Sequence, residues 1–213
     1  FLKKTHAFSN GDFSGAFLQA GVSELTMACC CIGMALHGGV IAACGTFFVF
    51  SDYMKPAVRM AALMETPVKF IWTHDAFRVG EDGPTHEPVE QEAQIRLMEK
   101  LKNHSGRNSM LVLRPADALE TTQAWKLAME NTHTPTALIF SRQNIADLPE
   151  GNDYSSVGKG AYIVAGSDEN PDVVLVASGS EVSTLVAGAE LLKADGVKVR
   201  IVSVPSEGLF RSQ

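Results

Sequence analysis

Apolar and polar positions along this chain fall into blocks whose lengths alternate between those of strands and those of helices. GVSELTMACCCIGMALHGG (21–39) is apolar almost throughout and stops at two glycines, which predicts one long helix. VIAACGTFFVF (40–50) is a continuous apolar run and predicts a strand. SDYMKPAVRMAALM (51–64) returns to helical spacing, with Ser51 as a candidate N-cap and Pro56 either interrupting the helix or sitting near its first turn. VKFIWTH (68–74), MLVLRP (110–115) and TALIFSR (136–142) are short runs suited to buried strands, and DALETTQAWKLAME (117–130) is an amphipathic helix capped by Asp117. Strands alternating with helices predict an α/β fold, a mostly parallel sheet flanked by helices.

The pattern changes after Arg142. LPEGNDYSSVGKG (148–160) is rich in glycine, serine and acidic residues and reads as a linker. PDVVLVASGS (171–180), EVSTLVAGAELLKADG (181–196) and VKVRIVSVPS (197–206) then predict strand, helix and strand, with Gly196 as a C-cap. ASGSE (177–181) reads better as a plain helix start than as a phosphate-cradling turn. One β-α-β crossover cannot cover both faces of a sheet. The expected organisation is a first α/β domain over residues 1–153, followed over 154–213 by a linker and the truncated first β-α-β unit of a second α/β domain.

Composition narrows the function classes. The 213 residues are 46% hydrophobic with a mean hydropathy of +0.05, as in ordinary globular proteins. A net charge of -6 speaks against general nucleic-acid binding, so an anionic ligand must be held by local positive groups. No segment approaches the ~20 apolar residues of a membrane span, and FLKKTHAFSNGDF lacks the order of a secretory signal. Cys29, Cys30, Cys31 and Cys44 show no C-x-x-C spacing, and buried free thiols in a reducing cytoplasm are expected.

Chemistry concentrates in GEDGPTHEP (80–88), which gathers Glu81, Asp82 and His86 between Gly80, Gly83 and Pro84, where no regular element can run. It follows the strand-like VKFIWTHD, which carries His74. Two readings stand: a surface loop with solvated charges, or a catalytic loop at a strand end, where ligands meet open α/β sheets. Glu24 opens the long apolar helix, where an acid gains roughly 0.3–1 kcal/mol from the dipole or serves chemistry at the helix mouth. Phe47, Phe50 and Tyr53, spaced by three, fit either a packed core or a pocket wall at the end of a strand.

GVSELTM, GTFFVFSDY with RMAALM, THDAFRVGEDGPTHEPVEQ and SRQN, in this order and spacing, resemble the transketolase family from about residue 17 onward. The resemblance implies the pyrimidine-binding domain of a thiamine-diphosphate-binding fold over 1–153, incomplete at its N-terminal part, and the start of a transketolase C-terminal domain over 154–213. It further implies transfer of a two-carbon ketol unit from a ketose phosphate to an aldose phosphate through a thiamine diphosphate adduct, in the pentose phosphate pathway. The family works as a homodimer with its site at the subunit interface. Its cofactor's diphosphate is held through Mg2+ (or Ca2+) by an N-terminal domain whose motif is not among these residues. The chain is therefore expected to be a fragment, inactive alone and without metal ligands of its own, binding neither nucleic acid nor membrane.

Roles follow from the same resemblance. Glu24 matches the carboxylate that bonds the aminopyrimidine and favours its imino tautomer, whose exocyclic nitrogen takes the thiazolium proton; Ser23 and Leu25 stand beside it where Arg and Phe are common. Phe47, Phe50 and Tyr53 match the aromatic wall of that ring, with Phe50 stacked on it for ~0.5–1.5 kcal/mol beyond area burial. His86 matches a group near the ketose hydroxymethyl and carbonyl, suited to proton transfer near neutrality. Asp82 matches an acceptor for a substrate hydroxyl, and His74 and Arg142 match contacts to the distal phosphate, for which a guanidinium fork is suited. Glu81 approaches either the cofactor or the dimer partner, and His37 either caps its helix or meets a second subunit. His6, His104 and His133 are read as solvated. The alternatives are dihydroxyacetone synthase, a close relative in chemistry, and a non-catalytic pyrimidine-type module, which intact Glu24 and His86 disfavour. HEPVEQ and SRQN speak against deoxyxylulose-phosphate synthase.

Overall fold

The computed structural model describes residues 5–166 and 170–213; the opening FLKK lies outside them. Four parallel strands, β1 (Ala43–Phe47), β2 (Lys69–Thr73), β3 (Leu111–Leu113) and β4 (Thr136–Ile139), stand in the order β1-β2-β4-β3. α1 (Glu24–His37) precedes β1, and α2 (Ser51–Leu63), α3 (Gln91–Lys100) and α4 (Ala118–Glu130) connect the strands in the α/β alternation that the pattern predicts. The central strands are buried on both faces, which is why FIW of β2 and ALI of β4 read as apolar runs. On one face Ala28, Ile32, Met54 and Val58 pack over Phe70 and Trp72, with Trp72 Nε1 donating to Met54 Sδ at 3.4 Å. On the other, Ala124 and Ala128 of α4 cover Leu113 and Leu138.

Three local expectations are corrected. Ser51 does not cap α2: a 3-10 helix, Phe48–Phe50, runs straight into it, so Ser51 is the first helical residue and its buried Oγ has no hydrogen-bond partner. Pro56 sits inside α2, exposed, and the helix continues through it. The four thiols are free, but only Cys31 and Cys44 are buried; Cys29 and Cys30 are exposed. At ~3.6 residues per turn, Ala28, Cys31 and Ile32 face the sheet and the two residues between them must face away.

A second sheet has the order β5-β7-β6, with β5 (Tyr162–Gly166), β6 (Val173–Ala177) and β7 (Val199–Ser203). The crossover β6-α5-β7, with α5 spanning Glu181–Ala194, is parallel, and Gly196 follows α5 at φ 82 as a helix-ending glycine should. β5, antiparallel to β7, and the short α6 (Glu207–Arg211) were not signalled by the sequence pattern, nor was α3.

The stretch expected as a linker is fastened down. Leu148 is buried, and Asp117 Oδ2 accepts from its N–H at 3.1 Å and from Tyr154 Oη at 2.8 Å, while Asp117 Oδ1 caps α4 through Glu120 N. Buried carboxylates carry the seam between the sheets further. Glu120 accepts from Ala116 N (2.7 Å), Tyr162 Oη (2.8 Å) and Ser203 Oγ (2.6 Å). Glu99 accepts from Val112 N (3.2 Å) and Ser206 Oγ (3.3 Å), with Gly208 pressed so closely against it that a Cβ would lie 2.4 Å away. Burial raises both carboxyls above their ordinary range, more strongly than these hydrogen bonds lower them.

Candidate functional site

All four parallel strands end at one edge of the first sheet, and the chemistry-bearing residues follow those ends. β1 closes at Phe47. The 3-10 turn then alternates its rings: Phe48 goes into the core against Trp72, while Phe50 and, one turn on, Tyr53 stay at the edge. Phe47 and Phe50 stand 6.0 Å apart with planes 9° apart, and Phe50 and Tyr53 5.8 Å apart at 26°. Tyr53 is 65% exposed. The three rings, their planes nearly parallel, form a partly open aromatic wall.

β2 is paired in register with β1, Thr73 beside Phe47, so the next residue, His74, emerges at the same wall. Its backbone lies in the left-handed region, φ 60, and its ring stacks on Phe47 at 3.5 Å and 19°. The loop beyond is built from turns that glycine permits: Gly80 (φ 73) kinks the 3-10 segment Phe77–Asp82, and Gly83 (φ 74) turns the chain so that His86 N bonds Gly83 O at 3.1 Å. This returns His86 to the wall, edge-on to Phe50 at 5.2 Å and to Phe47 at 6.2 Å.

Charge surrounds the rings. Asp82 Oδ2 is 3.8 Å from His74 Nε2 and 3.5 Å from Arg142 Nε, and Arg142 Nη2 also pairs with Glu81 Oε1. Burial, the largest influence, lowers the His74 pKa despite nearby Asp82, and Arg142 and His86 add to the effect. Burial thus favours the neutral form of the His74 ring. Each histidine is tied through Nδ1 to the threonine before it, Thr73 at 2.9 Å and Thr85 at 2.8 Å, which leaves Nε2 of His86 for another partner.

Phe47, Phe50, Tyr53, His74, Asp82, His86 and Arg142 thus converge. Glu24 is different. The chain runs down α1 and returns through a short loop into β1, so the start of α1 lies at the same edge as Phe47, but among the described residues no hydrogen bond or ion pair joins Glu24 to the cluster. Glu81, left open by the sequence, pairs with Arg142. Sequence reasoning passed over Thr73 and Thr85, though the repeated Thr-His pair was a signal. It also passed over Gln91, whose side chain accepts from Val89 N at 2.8 Å and donates to Asp52 at 2.9 Å, fastening the loop's far end to α2. Asp75 and Arg114, a buried ion pair at 2.8 Å, gave no local signal.

An open parallel sheet whose strand ends carry a wall of near-parallel aromatic rings, two oriented histidines and an arginine–carboxylate pair is an α/β domain with the groups to receive a planar ring beside a charged one. Residues 3–147 match the family model for the transketolase pyrimidine-binding domain, and residues 160–213 that for the transketolase-like C-terminal domain. The chain belongs to the transketolase family. It is 49% identical to the transketolase of Halalkalibacterium halodurans and 46% identical to that of Bacillus subtilis, in each case over 100% of this chain and 31% of the relative. A transketolase from Pichia stipitis, solved in complex with sedoheptulose-7-phosphate, superposes with a TM-score of 0.89 at 38% identity, covering 99% of this chain and 30% of that one. The chain thus spans under a third of the length of these relatives. The near-parallel planes of Phe47, Phe50 and Tyr53 fit the aminopyrimidine end of thiamine diphosphate. The described residues include no group of three His, Cys, Asp or Glu side chains arranged to hold a metal ion.

Proposed function

We propose that the complete enzyme carrying this chain is a transketolase, moving a two-carbon ketol unit from a ketose phosphate to an aldose phosphate in the cytoplasmic pentose phosphate pathway. The observation that carries this is the convergence of the aromatic wall, His86 and the His74–Asp82–Arg142 group on one sheet edge, in a chain of this family. When bound, thiamine diphosphate supplies the carbanion chemistry. Phe47, Phe50 and Tyr53 orient its aminopyrimidine and exclude water, and Glu24 holds the proton at the ring nitrogen. The diphosphate and its Mg2+ (or Ca2+) belong to an N-terminal domain outside this chain.

His86, tethered at Nδ1, presents Nε2 to the reacting end of the ketose for proton transfer. Asp82 accepts a bond from a sugar hydroxyl, and neutral His74 and cationic Arg142 hold the distal phosphate. Arg142 is engaged by Glu81, but Glu81 is 74% exposed, and such solvated pairs are worth only ~0–1 kcal/mol. A doubly charged phosphate displaces it readily. The exposed apolar surface of and beyond α1, with Leu25, Leu36, Val40 and Ile41, supports a homodimer whose site lies at the subunit interface.

Rates of two variants of the complete enzyme on two acceptors test the assignment. Arg142→Ala lowers kcat/KM for a phosphorylated aldose by ~2–4 kcal/mol, the effect of a lost charge-assisted contact, and scarcely affects a neutral aldehyde such as glycolaldehyde. His86→Ala impairs both, because the donor is handled alike in each. Equal losses for Arg142→Ala on both acceptors would mean that it holds the fold or the cofactor and does not bind phosphate.

A further inference from the structure

His74 is not a glycine, yet it occupies the left-handed region. Residues in such conformations persist where the surroundings hold them, and often where a site needs them. The Phe47 stack and the Thr73 bond grip the ring. The backbone is gripped one residue later. Asp75, its side chain 1% exposed, accepts through Oδ2 from Arg114 Nε at 2.8 Å.

Arg114 leaves the end of β3, and its side chain is 7% exposed. Most of its partners come from the second α/β unit. Nη1 donates to Ser178 O and Oγ, both at 3.2 Å, and Nη2 lies 2.7 Å from Glu181 Oε2. Glu92 Oε2 stands 3.4 Å from Nη1, so three carboxylates share this one guanidinium. The main chain is clamped as well: Arg114 N donates to Pro205 O at 2.8 Å, and Gly179 N donates to Arg114 O at 3.1 Å. Gly179 (φ 59) lies flat against the side chain, where an added Cβ would come within 2.8 Å of Nε. The second unit has built a seat for Arg114, and Arg114 grips the residue after His74.

We propose that Arg114 is a positioning residue through which the second α/β unit holds His74 in its left-handed, Phe47-stacked geometry, making that unit part of the site without contributing a side chain to it. The geometric part stands by itself; that this geometry serves a sugar phosphate rests on the function proposed above. Lysine cannot replace the residue, because a single ammonium has no fork to span Asp75, Ser178 and Glu181 together.

The His74 ring protons of the 213-residue chain carry the ring-current shift of the Phe47 contact, and His74→Gln identifies them by their loss from the NMR spectrum. In Arg114→Lys, and more mildly in Glu181→Gln, that shift collapses toward the value of a free histidine while the far-UV circular dichroism is retained. Ile201→Val, a change in the second unit's core, is the control: it lowers Tm and leaves the shift in place. Should Arg114→Lys fail to fold, Glu181→Gln decides alone. An unmoved shift in the folded seat variants, or an equal movement in Ile201→Val, overturns the proposal. In the complete enzyme the seat variants raise KM for a phosphorylated acceptor and leave kcat nearly unchanged. A collapsed shift with an unmoved KM leaves the positioning role standing and removes the phosphate role of His74.

Discussion

Ser51 buries a hydroxyl with no partner at the first position of α2. A buried unpaired hydroxyl costs stability that alanine would recover, whereas loss of a working N-cap costs about 1 kcal/mol. Ser51→Ala is therefore expected to leave the unfolding free energy from urea melts unchanged or to raise it by up to ~1 kcal/mol; a clear fall would mean that Ser51 caps the helix after all. Glu24 is the opposite case, a residue whose worth lies outside this chain's own contacts. Glu24→Gln in the complete enzyme should keep the helix, as seen by circular dichroism, and slow exchange of the cofactor's thiazolium proton for deuterium by orders of magnitude, each tenfold being ~1.4 kcal/mol of barrier. Unchanged exchange would reduce Glu24 to an acid at a helix start.

Among the elements, short connecting pieces set the geometry as firmly as the strands do. The 3-10 helix Tyr154–Lys159 ends at Gly160, left-handed at φ 79, with Phe210 N and Ser206 O of the α6 region only 2.3 Å from where a Cβ would sit. Two backbone atoms cannot give way as a flexible side chain does. Gly160→Ala is expected to cost ~2–4 kcal/mol from overpacking and left-handed strain together. Gly151→Ala, also left-handed (φ 91) but facing open space, should cost only ~1 kcal/mol. Chemical denaturation of the two variants side by side separates packing from strain, and equal losses would show that the α6 contact is loose.

Across the whole molecule, the two sheets are joined by buried carboxylates whose protonation couples stability to pH. Burial raises Glu120 above its unfolded value of ~4.3. A group bound more tightly to its proton when folded contributes stability that is fully present below the unfolded pKa and lost as pH rises through the folded one. The stability advantage of the native chain over Glu120→Gln should therefore be largest near pH 4 and shrink toward neutrality, read from urea melts at both ends of that window. An advantage that grows with pH would mean that the Tyr162 and Ser203 bonds hold Glu120 ionised despite its burial.

Local sequence was enough for α1, α2, α4, α5 and the buried strands, because each is an apolar run or a helical period contained in a short window. The contiguous motifs THD, GEDGPTH and SRQN gathered His74, Asp82, His86 and Arg142 as candidates through the family that they resemble. What local sequence could not show rests on partners far along the chain. The buried face of α3 includes Gln91, Arg96 and Glu99, a polar set that hides the helical period and is stable only because Asp52, Glu207 and Ser206 meet it. The Arg142–Glu81 pair joins residues 61 positions apart, and the seat of Arg114 joins it to Asp75 across 39 and to Ser178 across 64. A buried charge is disfavoured in any local window and becomes favourable only when the fold delivers its counter-charge, and so the wall and the motifs were written in the sequence while the grip on His74 was decided by the tertiary structure.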